Sequence, residues 1–129
     1  MSKKEEVDYF KLHNPEVEKG WEMPKFEHVT GDLYKTKYEW FVTYPENFVL
    51  GKNTDIGIFS YINARYGVSI RDNVQIGSHC AIYSHDSERD IKGTITIEEG
   101  VLIGSHTVIL PRKHWHVISK NVKAGRVVF

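Results

Sequence analysis

Ile76-Gly77-Ser78-His79-Cys80-Ala81-Ile82 and Ile103-Gly104-Ser105-His106-Thr107-Val108-Ile109 are two copies of one short text, and their reading decides the fold. In each, an isoleucine returns after six residues and glycine follows the first isoleucine. The same step of six joins Leu50, Ile56 and Ile62, then Ile70, Ile76 and Ile82, then Ile97, Ile103 and Ile109. Glycine recurs in second place as Gly51, Gly57, Gly77 and Gly104. Fifth place is small or β-branched: Thr54, Ser60, Val74, Cys80, Val101, Thr107. A period of six fits neither a helix at 3.6 nor simple strand alternation. It marks a solenoid whose units bury their apolar faces only by stacking on one another.

Three hexads make one triangular turn of the left-handed parallel β-helix that such repeats build. The expected fold is therefore all-β, with three coils led by Leu50, Ile70 and Ile97. Two irregularities interrupt the period. From Ile62 to Ile70 the step is eight, which predicts a two-residue bulge around Tyr66-Gly67. From Ile82 to Ile97 it is fifteen, so about nine residues leave the core within the stretch Ser84 to Gly93. A polar loop thrown out of a regular scaffold is a usual seat of function.

Residues 1–47 hold no hexads and read as an N-terminal capping region, because an open solenoid end exposes apolar side chains and strand edges. Asn14-Pro15 and Gly31-Asp32 read as turns, and Tyr38 to Tyr44 is rich in strand formers. The β-helix domain spans residues 48–129. Its last part is less regular: Trp115 stands where an aliphatic is due, and the next hexad begins at Ile118, with Val122 in fifth place.

The 17 basic and 17 acidic side chains balance, which argues against a surface built to bind nucleic acid. No apolar run approaches the roughly 20 residues of a membrane span. The charged start Met1-Ser2-Lys3-Lys4 lacks a signal peptide's apolar stretch, and a single cysteine, Cys80, forms no internal disulfide. Cytoplasmic residence is the expectation.

The hexads, together with Tyr61-Ile62-Asn63, Ile82-Tyr83-Ser84-His85-Asp86 and Val101 to Pro111, resemble the hexapeptide-repeat acyltransferase superfamily. The nearest likeness is to its sugar O- and N-acetyltransferases. The resemblance implies a homotrimer with active sites between subunits and a coenzyme A thioester, by default acetyl-CoA, as acyl donor. It implies a sugar or nucleotide-linked amino sugar as acceptor, in surface-polysaccharide assembly, and no metal. His85 matches the catalytic histidine of the loop after the second coil, and Asn63 an acceptor-binding asparagine. The donor would lie along the third coil and beyond, at Gly104, Ser105, Pro111, Arg112 and Lys113. After Pro111 the text Arg112-Lys113-His114-Trp115-His116-Val117 departs from the family's glycine and complete hexad.

Acyl transfer from a thioester needs a base for the acceptor's proton, and histidine, with an ordinary pKa of roughly 6.5, suits it. Asp86, Glu88 or Asp90 could orient the imidazole, Asp86 standing next to it. The alternative for His85 is a solvated loop histidine. Asn63 either contacts the acceptor or bonds its own backbone in a turn. Arg65 and Tyr66 either reach a sugar or its phosphate or merely line the bulge. His79 and His106 should stack about one strand spacing apart, roughly 4.8 Å, with Phe59 in the same column. That ladder faces outward, or else contributes to a metal site of the gamma carbonic anhydrase kind, which wants a third ligand. Cys80 fills an inward, small position. Lys113, His114 and His116 either meet donor phosphates or form a solvated, irregular strand end. A metal-dependent hydratase and an inactive scaffold are the two alternative functions.

Overall fold

The inward isoleucines can be buried only if successive coils lie directly above one another, and they do. A computed structural model describes residues 20–129 of the chain. Strands β1 (Glu27–Thr30) and β2 (Leu33–Lys35) form a hairpin about Gly31-Asp32, and β3 (Phe41–Thr43) follows. The first hexad coil is β4 (Phe48–Leu50), β5 (Asp55–Ile56) and β6 (Tyr61–Asn63). The second is β7 (Val68–Ile70), β8 (Gln75–Ile76) and β9 (Ala81–Tyr83). After β10 (His85–Asp86), the long β11 (Ile91–Ile97) opens the third coil, which continues in β12 (Leu102–Ile103) and β13 (Val108–Ile109). A further coil holds β14 (His114–Ile118) and β15 (Val127–Val128).

These strands stack as the three parallel walls of a β-solenoid of about four turns. One wall runs β3-β6-β9-β13-β15, the second β4-β7-β11-β14, the third β5-β8-β12. The hexads fall in the expected register. Leu50, Ile70 and Ile97 form one column, Ile56, Ile76 and Ile103 another, and Ile62, Ile82 and Ile109 the third. Nearly all of these side chains are buried, and Val68, Val74 and Ile95 fill the gaps between columns. Inward hydroxyls bond carbonyls at the corners: Ser60 Oγ donates to Gly77 O at 2.9 Å and Thr107 Oγ1 to Gly104 O at 2.6 Å. A buried hydroxyl is tolerated because it is so satisfied.

Second-place glycine follows from the close approach of coils. A Cβ built on Gly77 would lie 2.6 Å from the backbone nitrogen of Ser105, and one on Gly57 would strike the backbone of Ser78. Backbone cannot yield there as a flexible side chain could.

The aromatic residues of the flanking region plug the first end. Phe26, Trp40 and Phe48 meet at ring distances of 5.9 to 6.1 Å, and Trp40 is only 2% exposed. β3 also lies in the first wall, parallel to β6, with Val42 beneath Ile62. β2 pairs antiparallel with β3 and β1 with β2, so the hairpin covers that wall's edge. Asn14-Pro15 lies outside the described residues.

The excursion after Ile82 stands where it is expected: Gly93 N donates to Ser84 O at 3.0 Å and closes it as a hairpin, with Ile95 fully buried over Val68. Two expectations need correction. The step from Ile109 to Ile118 is not a broken hexad. It is the third corner of the solenoid, and Ile118 stacks on Ile97. Trp115 therefore faces outward beside Thr94, 68% exposed, and the inward residue is His116. Val122 lies in first place, bridged to Ile103, because the following corner is two residues shorter than a hexad.

Gly77→Ala is expected to lower stability by roughly 1–3 kcal/mol, at the upper end if the backbone cannot shift. Equilibrium urea denaturation of the variant checks this; an unchanged midpoint would refute the close approach as the reason for glycine.

Candidate functional site

Over the first three coils the lengths at two corners are set by the hexad, but the third corner, after each of Val42, Ile62, Ile82 and Ile109, varies. The polar residues gather there. The hairpin of β10 and β11 springs from this corner of the second coil, with His85 opposite Lys92 and Asp86 opposite Ile91. Residues directly opposite in an antiparallel pair project from the same face, so His85 and Lys92 are neighbours. Below them, at the first coil's corner, stand Asn63, Arg65 and Tyr66. Ser84 ties the two corners together. Its hydroxyl donates to Asn63 O at 2.8 Å and accepts from Tyr66 N at 3.0 Å.

The His85 ring stands edge-on to Tyr66, with ring centres 5.4 Å apart. The Arg65 guanidinium lies 5.4 Å and the Lys92 ammonium 5.5 Å from the same tyrosine ring centre. Arg65 also approaches the Tyr44 ring, at 5.7 Å. The structure thus brings together His85, Tyr66 and Arg65 from the sequence reading and adds Lys92. Nothing in the sequence spacing marks Lys92, because its nearness to His85 depends on the hairpin register.

Asp86 has another employment. Its carboxylate accepts the Arg89 backbone amide at 3.1 Å and an ion pair from the Arg89 guanidinium. These bonds from Arg89 hold the carboxyl below the usual aspartate range. Asp86 closes the tight turn from β10 to β11, and Asp90 completes it at φ 54°. Its role is to shape the hairpin, and the His85 ring packs on Tyr66 instead. Asn63 Oδ1 accepts the Arg65 amide at 3.0 Å, the turn bond of the second reading.

Arg89 reaches further, to the last coil. It donates to Pro111 O at 3.4 Å and lies 4.8 Å from the centre of the Phe129 ring. Arg112 holds Phe129 O through Nε and Nη2, at 3.1 and 2.9 Å. All five predicted donor-binding residues make bonds within the chain. Gly104 N bonds Val122 O at 2.8 Å, Ser105 O accepts Gly125 N at 2.9 Å, Pro111 O accepts Arg89, Arg112 holds Phe129 O, and Lys113 O accepts Trp115 N at 3.2 Å. Lys113 stays exposed at the edge of the corner.

His79 and His106 stack as their spacing requires, 4.8 Å apart and within 9° of parallel, with Phe59 5.3 Å from His79. All three occupy left-handed corners, at φ 62° for Phe59, 56° for His79 and 58° for His106. Histidine is enriched in that conformation, which supplies a structural reason for both. Ring nitrogens bind metals in the ring plane, so two parallel stacked rings cannot share one ion. Among the described residues, no three His, Cys, Asp or Glu side chains gather to hold a metal. Cys80 is buried, its thiol donating to Gly104 O at 3.2 Å, and burial raises its pKa.

His116 corrects an expectation: it is neither phosphate contact nor solvated strand end. It sits inward above Ile95, 2% exposed, with Nδ1 2.8 Å from Leu110 O. Burial pushes its pKa below the ordinary value.

No protein-family profile, curated protein or solved structure matches the chain. No helix of the described residues is long and apolar enough to cross a membrane.

The neutral burial of His116 sets a pH dependence. The folded state resists its protonation, so the unfolded state binds more protons as pH falls below about 6.5. Its stability contribution is intact above that pH and is lost as pH falls toward the depressed folded value. In urea melts between pH 7.5 and 5, His116→Gln should lose less stability on acidification than wild type; parallel curves would refute the assignment.

Proposed function

We propose that the protein is an acyltransferase that moves an acyl group, acetyl by default, from coenzyme A to a sugar, with His85 as general base. The observation that carries this reading is the position of His85. It stands on a hairpin inserted after the second coil of a hexad-built β-solenoid, edge-on to Tyr66 and flanked by polar groups. The acceptor's hydroxyl or amine attacks the thioester carbonyl carbon. His85 takes the acceptor's proton as the new bond forms. The carbon–sulfur bond then breaks, and the proton passes from His85 to the departing thiolate.

A base needs fixed orientation. Tyr66 supplies it here by ring packing, and the Asp86–Arg89 turn holds the strand that carries His85. Backbone N–H groups beside the corner would stabilise the developing oxyanion. The described cavities lie elsewhere: one of about 320 Å³ includes Val49, Gly51, Arg71, Asp72 and Glu99, and one of about 250 Å³ borders Met23 and Tyr38. His85 itself is half-buried in the single chain. We assign the protein a homotrimeric state with sites between subunits, as the resemblance of its hexads to the acyltransferase superfamily implies. Lys113, exposed at the corner's edge, keeps its side chain free for donor phosphates. Cytoplasmic residence, where acyl-coenzyme A is available, belongs to the same reading.

Titration of the purified chain with acetyl-coenzyme A should show micromolar binding by calorimetry, and light scattering should give a trimer. His85→Ala should cut acyl transfer about a hundredfold or more while leaving donor affinity unchanged. Full activity in that variant would remove His85 as base. Absent donor binding would overturn the transferase reading and leave an inactive scaffold.

A further inference from the structure

We infer that this site takes its acceptor by an anionic group, a phosphate or carboxylate on the sugar, held by Arg65 and Lys92 beside His85. That the anion belongs to an acyl acceptor rests on the transferase reading; the anion site itself rests on the geometry alone.

Arg65 and Lys92 come from different coils yet converge on one ring. Each cation lies within 5.5 Å of the Tyr66 ring centre, and the His85 ring is 5.4 Å from it. The backbone under each is fixed. The Arg65 amide is bonded to Asn63 Oδ1, and its carbonyl accepts Asn47 Nδ2 at 3.0 Å. Lys92 is fixed by its pairing with His85.

Among the described residues, neither cation has a carboxylate partner. Among the described residues the ion pairs are Lys35 with Glu39 and Arg89 with Asp86. The loop's nearest carboxylate is thus consumed by Arg89, and Glu88 and Asp90 make no ion pair with Arg65 or Lys92. Both charges lean on the one tyrosine ring, and a bound anion would neutralise them. Their contacts with Tyr66 and Tyr44 restrain the side chains without neutralising them. Charge-assisted hydrogen bonds to a phosphate or carboxylate are stronger than those contacts, and a guanidinium offers a fork that fits either anion. A neutral sugar would leave both charges unanswered.

The test uses the full chain and three probes: glucose 1-phosphate, glucuronate and glucose, titrated while the His85 ring signals are followed by NMR. At least one anionic sugar should bind about tenfold or more tightly than glucose, shift His85, and weaken as salt is added. Preference between the two anionic probes identifies the group as phosphate or carboxylate. Arg65→Gln and Lys92→Gln should each reduce that affinity about tenfold, while Arg65→Lys and Lys92→Arg retain most of it and show that the fold survives. Equal binding of glucose, no shift of His85 with either anion, or unchanged affinity in both glutamine variants would overturn the proposal. Acetyl-coenzyme A titrated in parallel separates the two readings. Donor binding without anion binding sinks the anion site alone; anion binding without donor binding sinks the transferase and spares the anion site.

Discussion

Direct stacking of one coil's backbone on the next is the constraint from which the rest of this structure follows. Parallel walls require strands about 4.8 Å apart, and at the corners that spacing leaves no room for a Cβ. Glycine at Gly57, Gly77 and Gly104 answers this, because the overlying Ser78, Ser105 and Ala124 backbones occupy the space. Once the corners are closed, the inward positions fall into columns. Each column must then be filled by residues of similar volume, which explains the isoleucines. Left-handed backbone recurs at the corners for the same geometric reason, in Phe59, His79 and His106 and in Asn53 and Asn73. The histidine ladder is thus a consequence of corner geometry, and its outward rings stack because their coils do.

Those columns were legible in the sequence because stacking forces a period, and a period survives in text. All nine positions from Leu50 to Ile109 stand in the register that spacing alone implies. The last coil was legible only in part: Ile118 does open a hexad, but the places of His116 and Val122 were not seen. Reading onward from Ile109 by sixes puts Trp115 in the core. The third corner, however, is not a hexad: Val42 to Leu50 and Ile62 to Ile70 are each a step of eight, and Ile109 to Ile118 is a step of nine. That longer step puts Ile118 over Ile97 and leaves His116 inward. A histidine in a β-helix core reads as a polar break in the pattern. Its bond to Leu110 O and its suppressed protonation make it an acceptable core residue.

At the candidate site, sequence reasoning found the element and missed its internal wiring. A polar, charged stretch between Ile82 and Ile97 announces an excursion, and His85 is its obvious chemical group. Which carboxylate serves it depends on the turn. Asp86 is adjacent in sequence, but in a strand neighbouring side chains point to opposite faces. Asp86 therefore turns from His85 toward Arg89, and Lys92, seven positions from His85, becomes its neighbour. Asn63 Oδ1 accepts the Arg65 amide, a turn bond that asparagine commonly makes.

The third corner concentrates chemistry because it departs from the hexad in every coil. Through the first three coils the other two corners turn within a hexad, under a backbone that tolerates only glycine in one place and a small residue in another. At this corner the first coil carries Tyr66 and Arg65, the second the hairpin of His85 and Lys92, and the last the Pro111–Lys113 segment with Phe129. Contacts run vertically between these insertions: Ser84 to Asn63 and Tyr66, Lys92 to Tyr66, Arg89 to Pro111 and Phe129. A change in one insertion is therefore felt in those above and below, while the walls are undisturbed. The regular walls fix the height of each corner to within a strand spacing. Side chains on three separate excursions can thus meet at one edge without any excursion having a core of its own.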